Sequence, residues 1–63
     1  MIIKFIPPKH LRIFNSDHGF VMDCRGHYSC LYVDMCHFSR KKRFFWLDDA
    51  VAFMESLGYI REN

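Results

Sequence analysis

The sequence predicts an α+β fold, a small antiparallel sheet of three or four strands with one C-terminal helix packed on one face. Two patterns predict it. Between Gly19 and Leu47 apolar and polar residues alternate in short runs broken by turn residues, the period-two signature of strands. From Leu47 onward the period lengthens, and Leu47, Ala50, Val51, Met54 and Leu57 recur at helical spacing. Composition adds that the fold has a core. In a chain of 63 residues, 51% are hydrophobic and 17% aromatic, and each large ring can bury roughly 150–250 Å². That offsets the small fraction of surface, about 60%, that so short a chain buries.

The elements are expected as one domain, 1–63, in three stretches: an extended N-terminal segment (1–14), a β-meander (19–47) and a helix (48–58). Residues 1–6 read as extended and end at Pro7 and Pro8, which cannot donate to a ladder. Residues 10–14 read as a short strand and 15–19 as a turn. A strand over Phe20–Cys24, a tight turn at Arg25 and Gly26, and a long strand over 28–38 follow. The polar stretch 39–42 reads as a four-residue loop before a last strand at 43–47. Asp48 is expected at the helix N-cap and Asp49 in its first turn. Gly58 is expected as the left-handed residue that ends the helix, with Tyr59 folding back on Met54.

Pairing these strands assigns faces. A two-residue turn at Arg25 and Gly26 sets Cys24 opposite His27, Met22 opposite Ser29 and Phe20 opposite Leu31. A loop over 39–42 would set Phe38 opposite Arg43, His37 opposite Phe44 and Met35 opposite Trp46. Side chains alternate along a strand. One face therefore collects Phe20, Met22, Cys24, Leu31, Val33, Met35, Phe44 and Trp46, and is expected as the core under the helix. The other collects Val21, Asp23, Tyr28, Cys30, Tyr32, Asp34, Cys36, Phe38 and Phe45. So aromatic a face calls for a cover: residues 1–14, a second copy of the chain in a homodimer, or a partner.

Several chemistries are not expected. Cys24, His27 and Cys30 have ligand-like spacing, which keeps a zinc-stabilised interaction module as an alternative. Alternation divides Cys24 and His27 from Cys30, however, and tetrahedral ligation within about 2.0–2.3 Å needs convergence. No metal and no cofactor are expected. No nucleophile, base and oxyanion donor set is legible, so the chain is expected not to be an enzyme and to take no small-molecule substrate. No apolar run approaches the ~20 residues of a membrane-spanning helix. Three cysteines cannot all pair within the chain, and a reducing, cytoplasmic setting is expected.

What remains is binding of another macromolecule. Net charge is only +2, but four of the nine Lys and Arg residues are consecutive: Arg40, Lys41, Lys42 and Arg43. At a hairpin tip they would form a basic knob beside aromatic residues, a combination suited to phosphates and bases. The expected binding residues are Arg40, Lys41, Lys42 and Arg43 with Tyr28, Tyr32, Phe38 and Phe45. A three-stranded antiparallel sheet followed by one helix, here the stretch from Gly19 to Gly58, resembles in layout the AP2-type and integrase-arm DNA-binding domains. That resemblance implies DNA as partner, with the sheet entering the major groove. The strand positions that carry base-reading arginines in those domains hold Tyr28, Cys30, Tyr32 and Asp34 here. The alternative partner is a host protein, with the chain acting as a viral or mobile-element accessory protein that inhibits or modulates a host complex.

Overall fold

The structure is a computed structural model that describes residues 1–12 and 17–62. Its strands are β1 (Ile2–Ile6), β2 (Phe20–Cys24), β3 (His27–Val33), β4 (Ser39–Phe44) and β5 (Ile60–Arg61), with one helix, α1 (Leu47–Ser56), between β4 and β5. They form one antiparallel five-stranded sheet in the order β4-β3-β2-β1-β5. The class is α+β as expected, with more strands than the three or four predicted. The two additions come from the chain ends: residues 2–6 enter the sheet beside β2, and the residues after the helix pair with them. Part of the strand predicted over 10–14 and of the turn over 15–19 lies outside the described residues. Lys9–Leu11 is a single 3-10 turn instead of a strand.

The β2–β3 hairpin has the predicted register, from Cys24 opposite His27 to Phe20 opposite Leu31. The next hairpin does not. Its loop is 34–38, and residues 39–42 lie in β4, with Val33 opposite Ser39, Cys30 opposite Lys42 and Tyr28 opposite Phe44. Asp34 is the cause. Its Oδ1 accepts from the Cys36 N–H at 2.9 Å and the Phe38 N–H at 3.0 Å, and its Oδ2 accepts from Arg40 Nε at 2.6 Å. A short acceptor side chain that captures following amides makes a turn. His37 takes up the reversal at φ 66°.

The helix covers the face opposite to the one predicted. Val21 and Cys30 are fully buried, and the Cys30 thiol donates to the Ala50 carbonyl at 3.6 Å. Tyr32 meets Phe53 edge-on, with ring centroids 4.9 Å apart, and Phe44 meets Phe53 at 5.3 Å. Tyr28 and Tyr32 are therefore half-buried packing residues of the core. Ile3 and Phe5 of β1 complete that face. Phe20, Met22 and Leu31 lie on the face away from the helix and are half-buried. Trp46 and Met35, assigned above to the core, are 72% and 95% exposed.

Sheet order explains the path of the helix. The chain leaves β4 at one edge and must reach β5 at the other. Four inter-strand gaps span ~19 Å, and a ten-residue helix advances ~15 Å. The helix starts one residue earlier than predicted, with Trp46 at the N-cap and Asp48 and Asp49 both in the first turn. At its other end Gly58 N–H donates to the Glu55 carbonyl and Tyr59 N–H to the Met54 carbonyl, with Gly58 at φ 91°. This is the expected left-handed termination, and buried Tyr59 and Met54 both join the core.

Tyr59 also ties three distant segments together. The Val33 N–H donates to its hydroxyl oxygen at 3.0 Å, and the hydroxyl lies 2.8 Å from His18 Nδ1. The His18 ring also hydrogen-bonds the Leu11 backbone. The consistent proton arrangement is a neutral His18 whose Nδ1 accepts from the Tyr59 hydroxyl. Burial accordingly holds His18 below its ordinary value of 6.5. A depressed histidine contributes stability that is complete above its unfolded pKa and is lost as pH falls toward the folded one. The thermal midpoint should hold steady down to about pH 6.5 and then decline, before Asp34, held low by the Phe38 N–H and Arg40, begins to protonate. Melting curves from pH 7.5 to 4.5 check this, and a His18→Asn variant should have the flatter profile.

Candidate interaction surface

The basic run follows from the register of β4. This strand is an edge, and Ser39, Arg40, Lys41, Lys42 and Arg43 are all exposed. Lys42 lies opposite Cys30, which is under the helix, so Arg40, Lys42 and Phe44 project to the helix side. Ser39, Lys41 and Arg43 project to the uncovered side. On the helix side Arg40 is bound to Asp34, and Lys42 Nζ sits 5.0 Å from the Phe53 ring centroid and 5.5 Å from that of Phe44. Among the described residues, no hydrogen bond or ion pair holds Lys41 or Arg43.

The same residues carry the free backbone of the edge. The Asp34 N–H donates to the Phe38 carbonyl at 3.0 Å and closes the hairpin. Antiparallel pairs alternate between hydrogen-bonded and non-bonded. Arg40, Lys42 and Phe44 therefore bond to β3, while the N–H and C=O groups of Ser39, Lys41 and Arg43 point away from the sheet.

Apolar residues stand at both ends of the edge. The loop before β4 presents Met35 and Phe38, the latter 63% exposed, on a turn fixed by the Asp34 carboxylate. The junction after β4 presents Phe45, 81% exposed, and Trp46. Trp46 is a poor local choice, because its side chain makes no cap hydrogen bond and a residue without a capping oxygen costs about 1 kcal/mol relative to Ser, Thr, Asp or Asn. An exposed residue that breaks a local preference without a compensating contact marks a place to look for function.

Of the predicted binding residues, the structure groups Arg40, Lys41, Lys42, Arg43, Phe38 and Phe45 along one edge. They form a strand and its two ends, and the hairpin tip is 34–38. Tyr28 and Tyr32 lie on the helix side of β3, half-buried against the core, and Tyr32 meets Phe53 of the helix. Trp46 and Met35 join the group along the edge. The signal for both was Asp34: read as a turn former it moves the loop, frees Met35 and ends β4 before Trp46.

On the side away from the helix two cross-strand rows continue inward from the edge, Lys4–Phe20–Leu31–Lys41 and Ile2–Met22–Ser29–Arg43, with Ser29 buried within the second. At the opposite edge Ile2 and Ile60 are 60% and 63% exposed. Cysteine chemistry is muted. All three cysteines are free, and burial pushes the Cys30 thiol up to about 11. Cys24 and His27 share the uncovered face while Cys30 lies beneath the helix. The described residues contain no cluster of three or more His, Cys, Asp or Glu side chains placed for a metal. A cleft of about 260 Å³ lies beside His10, Leu11, Val33 and His37. The carboxylate nearest it, Asp34, is already engaged by two amides and Arg40.

The strands β2, β3 and β4 followed by α1 are the three-stranded sheet and helix expected from the sequence, extended by β1 and β5. No protein-family model, curated protein or solved structure matches the chain. Among the described residues no helix is long and apolar enough to cross a membrane.

Proposed function

We propose that this chain is a non-enzymatic binding protein that engages a partner protein along the β4 edge, with Phe45 and Trp46 as apolar anchors. The observation that carries this reading is Trp46, largely exposed at a helix N-cap that it does not cap. Tryptophan and arginine are among the residues most enriched at interface positions that dominate affinity, and here Arg43 and Trp46 stand three positions apart. Asp48 and Asp49 follow immediately in the first helical turn. Carboxylates there repel phosphates but suit a partner of mixed charge. The same reading covers the host-protein partner expected from the sequence.

Nucleic acid is the second reading, and the run Arg40, Lys41, Lys42 and Arg43 favours it. Single-stranded chains bind where cations track the backbone and aromatic rings stack on bases, and Phe45 and Trp46 are free to stack. The two readings separate by salt, since phosphate contacts are lost steeply as salt rises.

The test is capture from a lysate by the immobilised protein, with nuclease treatment and a salt series. A partner protein retained after nuclease and at high salt is expected. Binding should weaken about 30-fold or more in Trp46→Ala, the loss of about 2 kcal/mol that defines a dominant interface residue. Capture abolished by nuclease selects the nucleic-acid reading. Full-strength capture by Trp46→Ala and Phe45→Ala places the interface elsewhere.

A further inference from the structure

The proposed interface has a free strand edge at its centre, and the chemistry of that edge specifies an occupant. We infer that β4 is completed by an acidic, extended segment of the partner protein, added as a sixth strand. This inference rests on the protein-binding reading above and names the chemistry of the partner.

An edge strand offers unpaired N–H and C=O groups to any strand of matching geometry. Here those groups belong to Ser39, Lys41 and Arg43, the alternate residues that do not bond to β3. Strand addition uses such main-chain groups for affinity and alternate side chains for specificity. The alternate side chains on the uncovered side are Lys41 and Arg43, which no described carboxylate neutralises. On the helix side, Arg40 is already paired with Asp34 and Lys42 is drawn over two rings. The demand for negative charge is therefore concentrated on the two residues whose backbone is also free. Acidic side chains opposite Lys41 and Arg43 would meet them at the spacing of a cross-strand pair, about 4.5–5.5 Å between Cβ atoms.

Charge also removes the most available competitor. A second copy pairing antiparallel through β4 would set Arg40, Lys41, Lys42 and Arg43 against themselves, and like charges directly opposite are destabilising. Basic residues on an edge thus discourage self-association while favouring an acidic strand, so attraction and rejection come from the same side chains. Phe38 at one end of the edge and Phe45 with Trp46 at the other supply apolar contacts to residues flanking the acidic stretch.

The experiment displays random linear peptides against the full chain, sequences the bound fraction, and then measures amide protection of the protein with the best peptide. Enrichment of Asp and Glu at alternate positions is expected, with slowed exchange at the Ser39, Lys41 and Arg43 amides. Two variants separate backbone from charge. Lys41→Gln removes the charge alone and should weaken the peptide several-fold. Lys41→Pro removes the same charge and one outward N–H, a change an edge strand accommodates, and should weaken it a further ten-fold or more. Both variants are checked for the native amide pattern, and Arg43→Glu on the same side serves as a second charge test. Equal binding by Lys41→Gln and Lys41→Pro, or acidic peptides that leave those three amides unprotected, overturns strand addition while leaving a Trp46-dependent protein interface standing. Selection of no acidic peptide overturns the inference in the same way. Loss of Trp46 dependence in the lysate capture instead overturns the reading beneath it. An oligonucleotide that protects the same amides more strongly than any peptide overturns both.

Discussion

Tyr59→Phe should destabilise the protein by about 2–5 kcal/mol, although it removes a single oxygen. The ring itself would still pack, since phenylalanine has the same shape. What is lost is the partner of two groups: the Val33 N–H and the His18 Nδ1 both meet the Tyr59 hydroxyl, and Tyr59, Val33 and His18 are all buried. A buried polar group left without a partner costs about 1–3 kcal/mol. Among the described residues every buried side-chain nitrogen and oxygen has a partner, so the variant would break an otherwise complete set. A domain of this size rarely has more than about 3–5 kcal/mol in hand, and Tyr59→Phe should therefore be substantially unfolded at room temperature. Denaturant titration by circular dichroism measures the loss. A change below 0.5 kcal/mol would mean that the hydroxyl is satisfied by solvent and that the three segments are not joined through it.

The second large effect is expected at Gly19, where Gly19→Ala should cost roughly 2–5 kcal/mol. Gly19 sits at φ +87°, a left-handed conformation that costs a residue with a Cβ about 1–2 kcal/mol. The added carbon would also stand 2.8 Å from the Phe5 carbonyl oxygen, and 3.4 Å from the Tyr59 ring. The carbonyl is backbone of β1 and cannot turn aside, because the Phe5 N–H donates to Gly19 itself at 2.7 Å and the Gly19 N–H donates to Leu31 at 2.7 Å. Relief would separate β1 from β2, and overpacking of this kind costs a further 1–3 kcal/mol. Gly26 is the internal control. It too has a positive φ, but nothing lies within 4 Å of its added carbon. Gly26→Ala should show only the conformational part. Equal losses at the two sites would show that the contact with Phe5 is unimportant.

These two residues show what was legible in the sequence and what was not. Gly58 and Tyr59 could be placed because a helix end obeys local rules: a left-handed residue, two backbone bonds and a residue folding back. The β2–β3 register was legible for the same reason, since the Arg25 and Gly26 turn leaves little choice. The role of Tyr59 as a bridge to Val33 and His18 was not legible, because it joins residues distant in the chain. The second hairpin failed on one residue. Asp34, placed within a long strand, has a side chain that closes a turn, and shifting the loop from 39–42 to 34–38 moves Phe44 to the other face. The face assignment then failed as a whole, because Val21, Tyr28, Cys30 and Tyr32 are as apolar as Phe20, Met22 and Leu31. Alternation says which residues share a side, and it does not say which side the helix takes. Of the candidate site, the cations were legible as a run, and their position on an edge depended on the same misplaced loop. Trp46 was assigned to the core because the misplaced loop set it opposite Met35, and its exposure departs from the usual burial of tryptophan.

The pairing of β1 with β5 has a mechanical consequence. The two strands run antiparallel, with Ile6 opposite Ile60 and Phe5 opposite Arg61, and the Glu62 N–H reaches the Lys4 carbonyl. Tension applied between Met1 and Glu62 would load this pair from one end, opening its bonds one after another instead of all together. With only two residues in β5, that zipper is short, and the load would pass almost at once to Tyr59. The protein should therefore be soft under tension up to Tyr59 and resist there, where one hydroxyl fastens the end of β3 and His18 to the last turn after the helix.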